Sequence, residues 1–165
     1  FAGSGTNSAN HLAAEKFNRM FKVKTTYVPF KGTGDLISSV LGGHVTGAMT
    51  YSTLAIQQKG KMRMLAVATE KRLPQFPDTP TFRELGVDWV DGAYRGVAVP
   101  KSTPPDVRKK VSDMMDALNK DPELRKKMID GGFEVIDVPV DKVPAFMQER
   151  SKEYLDTARA IGMIK

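Results

Sequence analysis

Gly3-Ser4-Gly5-Thr6-Asn7-Ser8 runs straight into a helical pattern in which Ala9, Leu12, Ala13, Phe17, Met20 and Phe21 take the apolar positions. Glycine lets backbone approach a ligand closely, and Thr6, Asn7 and Ser8 are residue types whose side-chain oxygens cap helices. The first amides of such a helix have no partner within it and lie at the positive end of its dipole, so this start is a seat for an anion. A small polar run before a helix is more often a plain cap. Three more specific readings fail on spacing. Gly3-Ser4-Gly5 lacks the third glycine of a dinucleotide fingerprint, no Gly-Lys-Ser/Thr completes a phosphate loop, and Ser4 lacks the flanks of a nucleophile elbow. An anion-binding helix start without catalytic groups remains.

The same pattern repeats. Thr25-Thr26-Tyr27-Val28-Pro29 reads as a short strand, and Phe30-Lys31-Gly32-Thr33-Gly34-Asp35 turns into a helix with Leu36, Ile37, Val40 and Leu41 on its apolar face, stopped by Gly42-Gly43. Val45 to Met49 is the next strand candidate. Ser52 or Thr53 then caps a short helix through Leu54, Ala55 and Ile56, and Met64-Leu65-Ala66-Val67-Ala68 reads as a strand buried on both faces. Strand and helix alternate three times, which predicts an α/β fold with a parallel sheet covered by helices.

Pro74, Pro77 and Pro80 mark an extended loop, a short helix is expected over Thr81 to Leu85, and Asp91-Gly92 is the expected lobe boundary. Beyond it, Gly96 to Pro100 reads as another buried strand, and Pro104-Pro105 and Pro122 sit where proline begins a helix. Phe133 to Ile136 reads as a strand, and a last helix from about Val140 carries Val143, Phe146, Met147, Arg150, Tyr154, Leu155, Ala158 and Ile161. This second part has long helices and too few strands for them to cover.

The absence of cysteine among the 165 residues excludes disulfides, thiolate metal sites and cysteine nucleophiles, and is compatible with cytosol or periplasm. The formal charge of +6 is spread over the chain without a basic stripe interleaved with aromatics, so nucleic acid is not the expected partner. No apolar run approaches the length of a membrane span and no signal-peptide pattern is present, so the chain reads as soluble, with an address signal removed or never present. No spaced His, Asp and Glu set points to a metal, no cofactor motif is present, and the nine methionines fall mostly at core positions where they serve as filling.

Taken in order, Gly3-Ser4-Gly5-Thr6-Asn7, His11-Leu12-Ala13-Ala14-Glu15, Val28-Pro29-Phe30-Lys31-Gly32-Thr33-Gly34, Leu41-Gly42-Gly43, Gly60-Lys61-Met62-Arg63-Met64-Leu65-Ala66-Val67, Pro77-Asp78-Thr79-Pro80-Thr81 and Ala98-Val99-Pro100-Lys101-Ser102-Thr103-Pro104 resemble the substrate-binding proteins of tripartite tricarboxylate transporters, the Bordetella uptake receptor family. The resemblance implies a periplasmic, type II periplasmic-binding-protein-like α/β fold with a small organic carboxylate held between two lobes: a dicarboxylate, a tricarboxylate or an aromatic carboxylate. It further implies delivery to membrane permease subunits, with no reaction catalysed. On this expectation residues 1–92 are the second lobe, lacking its first strand or strands, and residues 93–165 are the helix-rich C-terminal portion of the first lobe. The family's N-terminal segment is absent, and a fragment with such uncovered helices is expected to dimerise.

Carried over residue by residue, the family's carboxylate loop falls on Ser4, Gly5, Thr6, Asn7 and Ser8, and its second turn on Phe30, Lys31 and Gly32, where phenylalanine replaces the usual tyrosine. His11 matches a family histidine and is read as packing that holds the loop. The family commonly shows aspartates where this chain has Thr46 and Thr50. A carboxylate there would repel an anion, so Thr50 suits an anionic ligand, and Thr50, Tyr51 and Ser52 are further contact candidates. Two alternatives stay open: a ligand-sensing accessory of a signalling system, and an enzyme using the glycine-rich loop for a phosphorylated substrate with Lys31 or His11 as acid–base group.

Overall fold

The computed structural model describes residues 1–164. The elements in chain order are β1 (Ala2–Ser4), α1 (Ala9–Phe21), β2 (Val28–Phe30), α2 (Thr33–Leu41), α3 (Ser52–Gln57), α4 (Pro105–Lys120), α5 (Pro122–Asp130) and α6 (Val143–Ala160). β1 and β2 pair in parallel, with Ala2 opposite Val28 and Ser4 opposite Phe30. On its other side β1 meets residues 47–49: the Ala2 amide donates to the Gly47 carbonyl at 2.8 Å and the Met49 amide to the Ala2 carbonyl at 2.9 Å. β1 is therefore the middle of three parallel segments, as expected for consecutive crossovers through α1 and α2.

The core beneath them is small. Ala2, Leu36 and Leu54 are buried, with Phe30, Ile37, Val40, Val45, Ala48 and Met62 packed around them. A second apolar layer follows α1, where Phe1, Phe17, Phe21, Phe82 and Trp89 form a chain of ring contacts with centroids 4.5 to 6.2 Å apart. α6 lies against α1. The Lys16 ammonium of α1 reaches Asp91 at 3.2 Å and Glu153 of α6 at 3.5 Å, and the Tyr154 hydroxyl donates to the Gly92 carbonyl at 2.9 Å. α4 and α5 pack together, α5 being capped by Asp121, which accepts from the Leu124 amide at 2.6 Å. Among the described residues no helix is long and apolar enough to cross a membrane.

The helices expected from periodicity and caps form, but most of the expected strands do not. Thr25 is outside β2 because the Asn18 side chain takes its amide, hydroxyl and carbonyl at 2.7 to 3.2 Å, which shifts the ladder to Val28–Phe30. Residues 45–49 contribute one bridge, at Ala48. Residues 64–68 contribute only the bridge of Val67 to Thr81, and Leu65 is 66% exposed, so this run is not buried on both faces. Residues 96–100 and 133–136 form no strand, and Val97 is 61% exposed. Residues 64–68 find a partner only at Val67 and Ala68, and residues 96–100 and 133–136 find none among the described residues; a ladder needs a continuous partner as well as an apolar run. Three smaller corrections are local. Residues 81–85 are turns rather than a helix, α6 starts at Val143 after a turn over 140–142, and Tyr51 rather than Ser52 or Thr53 is the N-cap of α3, with the Ser52 hydroxyl donating instead to the Gly132 carbonyl at 2.6 Å.

The turns at 81–85 are held by reciprocal bonds. Glu84 accepts from the Thr81 amide at 2.8 Å while the Thr81 hydroxyl accepts from the Glu84 amide at 3.2 Å, a capping-box arrangement. The Arg72 guanidinium, bonded to Glu84 at 2.9 Å, and then the Thr81 amide lower the Glu84 carboxyl from 4.5 to about 2. A folded-state value below the unfolded one contributes stability above pH 4.5 that is lost as pH falls toward about 2. Urea titrations of Glu84→Gln and the parent are therefore expected to differ at neutral pH and to converge across that window. Leu36 is fully buried in the core cluster, so Leu36→Ala leaves a cavity there and is expected to cost about 2–5 kcal/mol in the same assay.

Candidate functional site

The carboxyl ends of the three parallel segments open on one edge. β1 runs out into Gly5 to Ser8 and then α1, β2 into Lys31-Gly32 and then α2, and residues 47–49 into Thr50-Tyr51 and then α3. Ligands of parallel α/β sheets bind at this edge, because strand ends and helix starts both expose unpaired backbone donors there. The structure thus brings all three expected groups of residues to one side of the sheet.

The first loop is built in detail. Gly3 is pressed against α1: a Cβ there would lie 2.7 Å from Tyr27 Cε2 and 2.8 Å from Asn10 Cβ, so only glycine fits. Gly5 turns the chain at φ +66°, and its amide extends the ladder to the Phe30 carbonyl at 2.9 Å. Asn7 also takes a left-handed conformation, at φ 56°, which asparagine tolerates better than most residues. Ser8 is the N-cap, accepting from the His11 amide at 3.3 Å while its hydroxyl donates to the Gly5 carbonyl at 3.1 Å. The Tyr27 hydroxyl donates to the same carbonyl at 2.9 Å. Burial, offset in part by Ser8 and reinforced by the proximity of Tyr51, raises the Tyr27 phenol above its ordinary value and keeps it a neutral donor.

Among the described residues the amides of Thr6, Ser8, Ala9 and Asn10 have no acceptor within the chain, and they stand at the start of a 13-residue helix. The Asn7 amide is taken by His11 Nδ1 at 3.1 Å. His11 also stacks on Tyr27 with centroids 4.4 Å apart and lies 4.0 Å from Glu15. Its place is behind the loop, holding it.

The other sites differ in what they offer. Phe30 is half-buried against the core cluster, and Lys31 beside it is exposed. Gly32 is the N-cap of α2 and supplies no side-chain cap bond. Thr50 is half-buried at the end of the third segment and Tyr51 N-caps α3.

Sequence reasoning missed Asn10. It is 4% exposed, and its Oδ1 accepts from both the Ser4 amide at 3.1 Å and the Ser4 hydroxyl at 2.5 Å, tying the end of β1 to the first turn of α1. A polar residue at an inward position of α1, one residue past apolar Ala9, is the signal that marks it. Among the described residues no group of three or more His, Asp and Glu is placed to hold a metal ion.

A parallel sheet edge ringed by helix starts, on a chain of alternating strands and helices, defines an α/β architecture, and solved structures identify it as that of a periplasmic binding protein. The chain superposes on an R. palustris protein determined with adipate at a TM-score of 0.88, with 24% identity over 98% of this chain and 55% of that one, a likeness of fold. It also superposes on MatC from Rhodopseudomonas palustris with bound malate at a TM-score of 0.76, with 25% identity over 97% of this chain and 55% of MatC. The fold is that of part of a type II periplasmic binding protein. The family model for the tripartite tricarboxylate transporter family receptor, TctC, matches residues 1–163, and the chain belongs to that family. A UPF0065 protein from the gbd 5′ region of Cupriavidus necator is 27% identical over the whole of this chain and 51% of its own length. The chain spans about half the length of the curated relatives it matches.

Replacing Asn10 leaves the Ser4 amide and hydroxyl without their acceptor at a nearly closed position. Asn10→Ala is expected to lower the unfolding free energy by about 1–3 kcal/mol, read by urea denaturation, whereas Thr6→Ala on the exposed loop should change it by less than about 0.5 kcal/mol.

Proposed function

We propose that this chain is the C-terminal part of an extracytoplasmic solute receptor that holds a small organic carboxylate and passes it to the membrane permease of a tripartite transporter. The observation that carries the reading is the row of unpartnered amides at Thr6, Ser8, Ala9 and Asn10, facing out from a rigidly tied loop at the carboxyl edge of the sheet. Amides fixed in place and backed by a helix dipole stabilise a carboxylate without having to reorganise around it. Ser4, Gly5, Thr6, Asn7 and Ser8 form the carboxylate seat, and Lys31, Gly32, Thr50 and Tyr51 border it, with Phe30 behind.

Malate bound to MatC supports the ligand class, and membership of the receptor family supports transport rather than chemistry. Residues 1–92 are read as the second lobe and 93–165 as the returning portion of the first. The crossing at Asp91 to Arg95 is the hinge about which the lobes close on the ligand. In the full-length receptor the rest of the first lobe covers the exposed apolar side chains of α4 to α6. In the 165-residue chain by itself a second copy takes that place.

The half-site alone is weak. Two or three charge-assisted hydrogen bonds of about 1.5–3 kcal/mol each and roughly 1 kcal/mol from the dipole are set against an association cost of at least ~4 kcal/mol. The remainder lies nearer millimolar than micromolar binding, which needs about 8 kcal/mol. Isothermal titration with malate and a panel of dicarboxylates, tricarboxylates and aromatic carboxylates is expected to give about millimolar dissociation constants for the 165-residue chain and about micromolar or tighter values for at least one ligand of the full-length receptor. Submicromolar binding by the short chain alone, or no carboxylate bound by the full-length protein, would overturn the reading.

A further inference from the structure

Arg95 has an unusual setting. Its guanidinium lies over the ring of Phe133 at 4.9 Å and over the ring of Tyr51 at 5.6 Å, so two residues far apart in the chain both hold it. No carboxylate lies within ion-pair reach of it and no acceptor takes its N–H groups among the described residues. Most of the chain's other arginines are neutralised: Arg72, Arg83, Arg125, Arg150 and Arg159 each have an acidic partner. Aromatic faces hold a guanidinium through its π-surface and leave its edge, with the fork of donors that fits a carboxylate, unoccupied.

Its position is also informative. Tyr51 is the N-cap of α3, at the carboxyl end of the third parallel segment, and lies close enough to Tyr27 to influence its phenol, while Tyr27 donates to Gly5 in the carboxylate loop. Phe133 is placed against the same helix start, because the preceding Gly132 accepts from Ser52 at 2.6 Å. Through Tyr51, Arg95 therefore belongs to the same carboxyl edge of the sheet as the amide seat, and among the described residues no carboxylate pairs with it.

The geometry points to Arg95 as a specificity-determining residue that receives the second carboxylate of a dicarboxylate whose first carboxylate occupies the amides of Thr6, Ser8, Ala9 and Asn10. This rests on the reading of the site as a carboxylate receptor. It goes beyond that reading in naming the charge of the ligand's far end and the side chain that selects it. A guanidinium pre-oriented by two rings loses little freedom on binding and makes two parallel charge-assisted bonds, and a monocarboxylate of the same length gains nothing from it.

The test is calorimetric titration of the full-length receptor with two matched pairs of probes, adipate against hexanoate and succinate against butyrate, for the parent, Arg95→Gln and Arg95→Lys. The parent is expected to prefer the dicarboxylate of at least one pair. Arg95→Gln should weaken that dicarboxylate by about 10- to 100-fold while changing the paired monocarboxylate by less than about twofold, and Arg95→Lys should recover part of the loss. Thermal unfolding of both variants is expected to match the parent, since Arg95 is exposed. Equal effects of Arg95→Gln on both members of each pair, no effect on either, or a parent that binds monocarboxylates as well as dicarboxylates would overturn the assignment while leaving the carboxylate receptor standing. A parent that binds none of the four probes nor any other carboxylate would overturn both.

Discussion

The three residues of β1 are paired along both sides, and everything at the site is placed by that pairing. Ala2 exchanges backbone bonds with residues 47–49 at 2.8 and 2.9 Å, while the Val28 amide bonds Phe1 at 2.8 Å and the Gly5 amide bonds Phe30 at 2.9 Å. Each such bond contributes only about 0.5–1.5 kcal/mol net. Their combined effect is geometric, since they bring three chain reversals to one edge and aim three helix starts the same way. Ala2 has to be small and buried for the flanking segments to close on it.

Around this ladder the loop is fixed by polar side chains rather than by apolar packing. Asn10 holds Ser4, Tyr27 and Ser8 hold the Gly5 carbonyl, and His11 holds the Asn7 amide. The groups that satisfy the loop from behind leave its front amides free. On the proposed function, such a site offers an anion pre-oriented dipoles, which keeps the cost of reorganisation low. Asp91 plays the corresponding part between the proposed lobes: it takes Lys16 of α1 at 3.2 Å and the Trp89 indole at 3.2 Å while Gly92 takes Tyr154 of α6. The crossing segment is thus tethered to both helices, and Tyr94 adds an edge contact to Phe146 at 5.0 Å.

Much of this was legible in the residues. The glycine-rich loop, the turn at Phe30-Lys31-Gly32 and the segment at Thr50-Tyr51 were recognisable as helix starts because caps, glycines and apolar periodicity act within a few residues of one another. The proline-led starts of α4 and α5 were legible for the same reason. Strands were over-read at 64–68, 96–100 and 133–136, since an apolar run states a preference but does not supply a partner. The packing of Phe30 against the core cluster was not legible either, because which face of a three-residue strand meets the core depends on register.

The sequence by itself determined the helices, the loop glycines and the family, since each depends on local conformational preference or on motifs in fixed order. Tertiary structure alone decided that Asn10 closes the first loop, that Asp91 ties α1 to the crossing segment, and that Arg95 lies over both Tyr51 and Phe133. Those contacts join residues far apart in the chain, and no local preference encodes them. They exist because burial and parallel pairing fold distant segments onto one another, and only then does the charge or hydrogen-bonding capacity of each side chain find its partner.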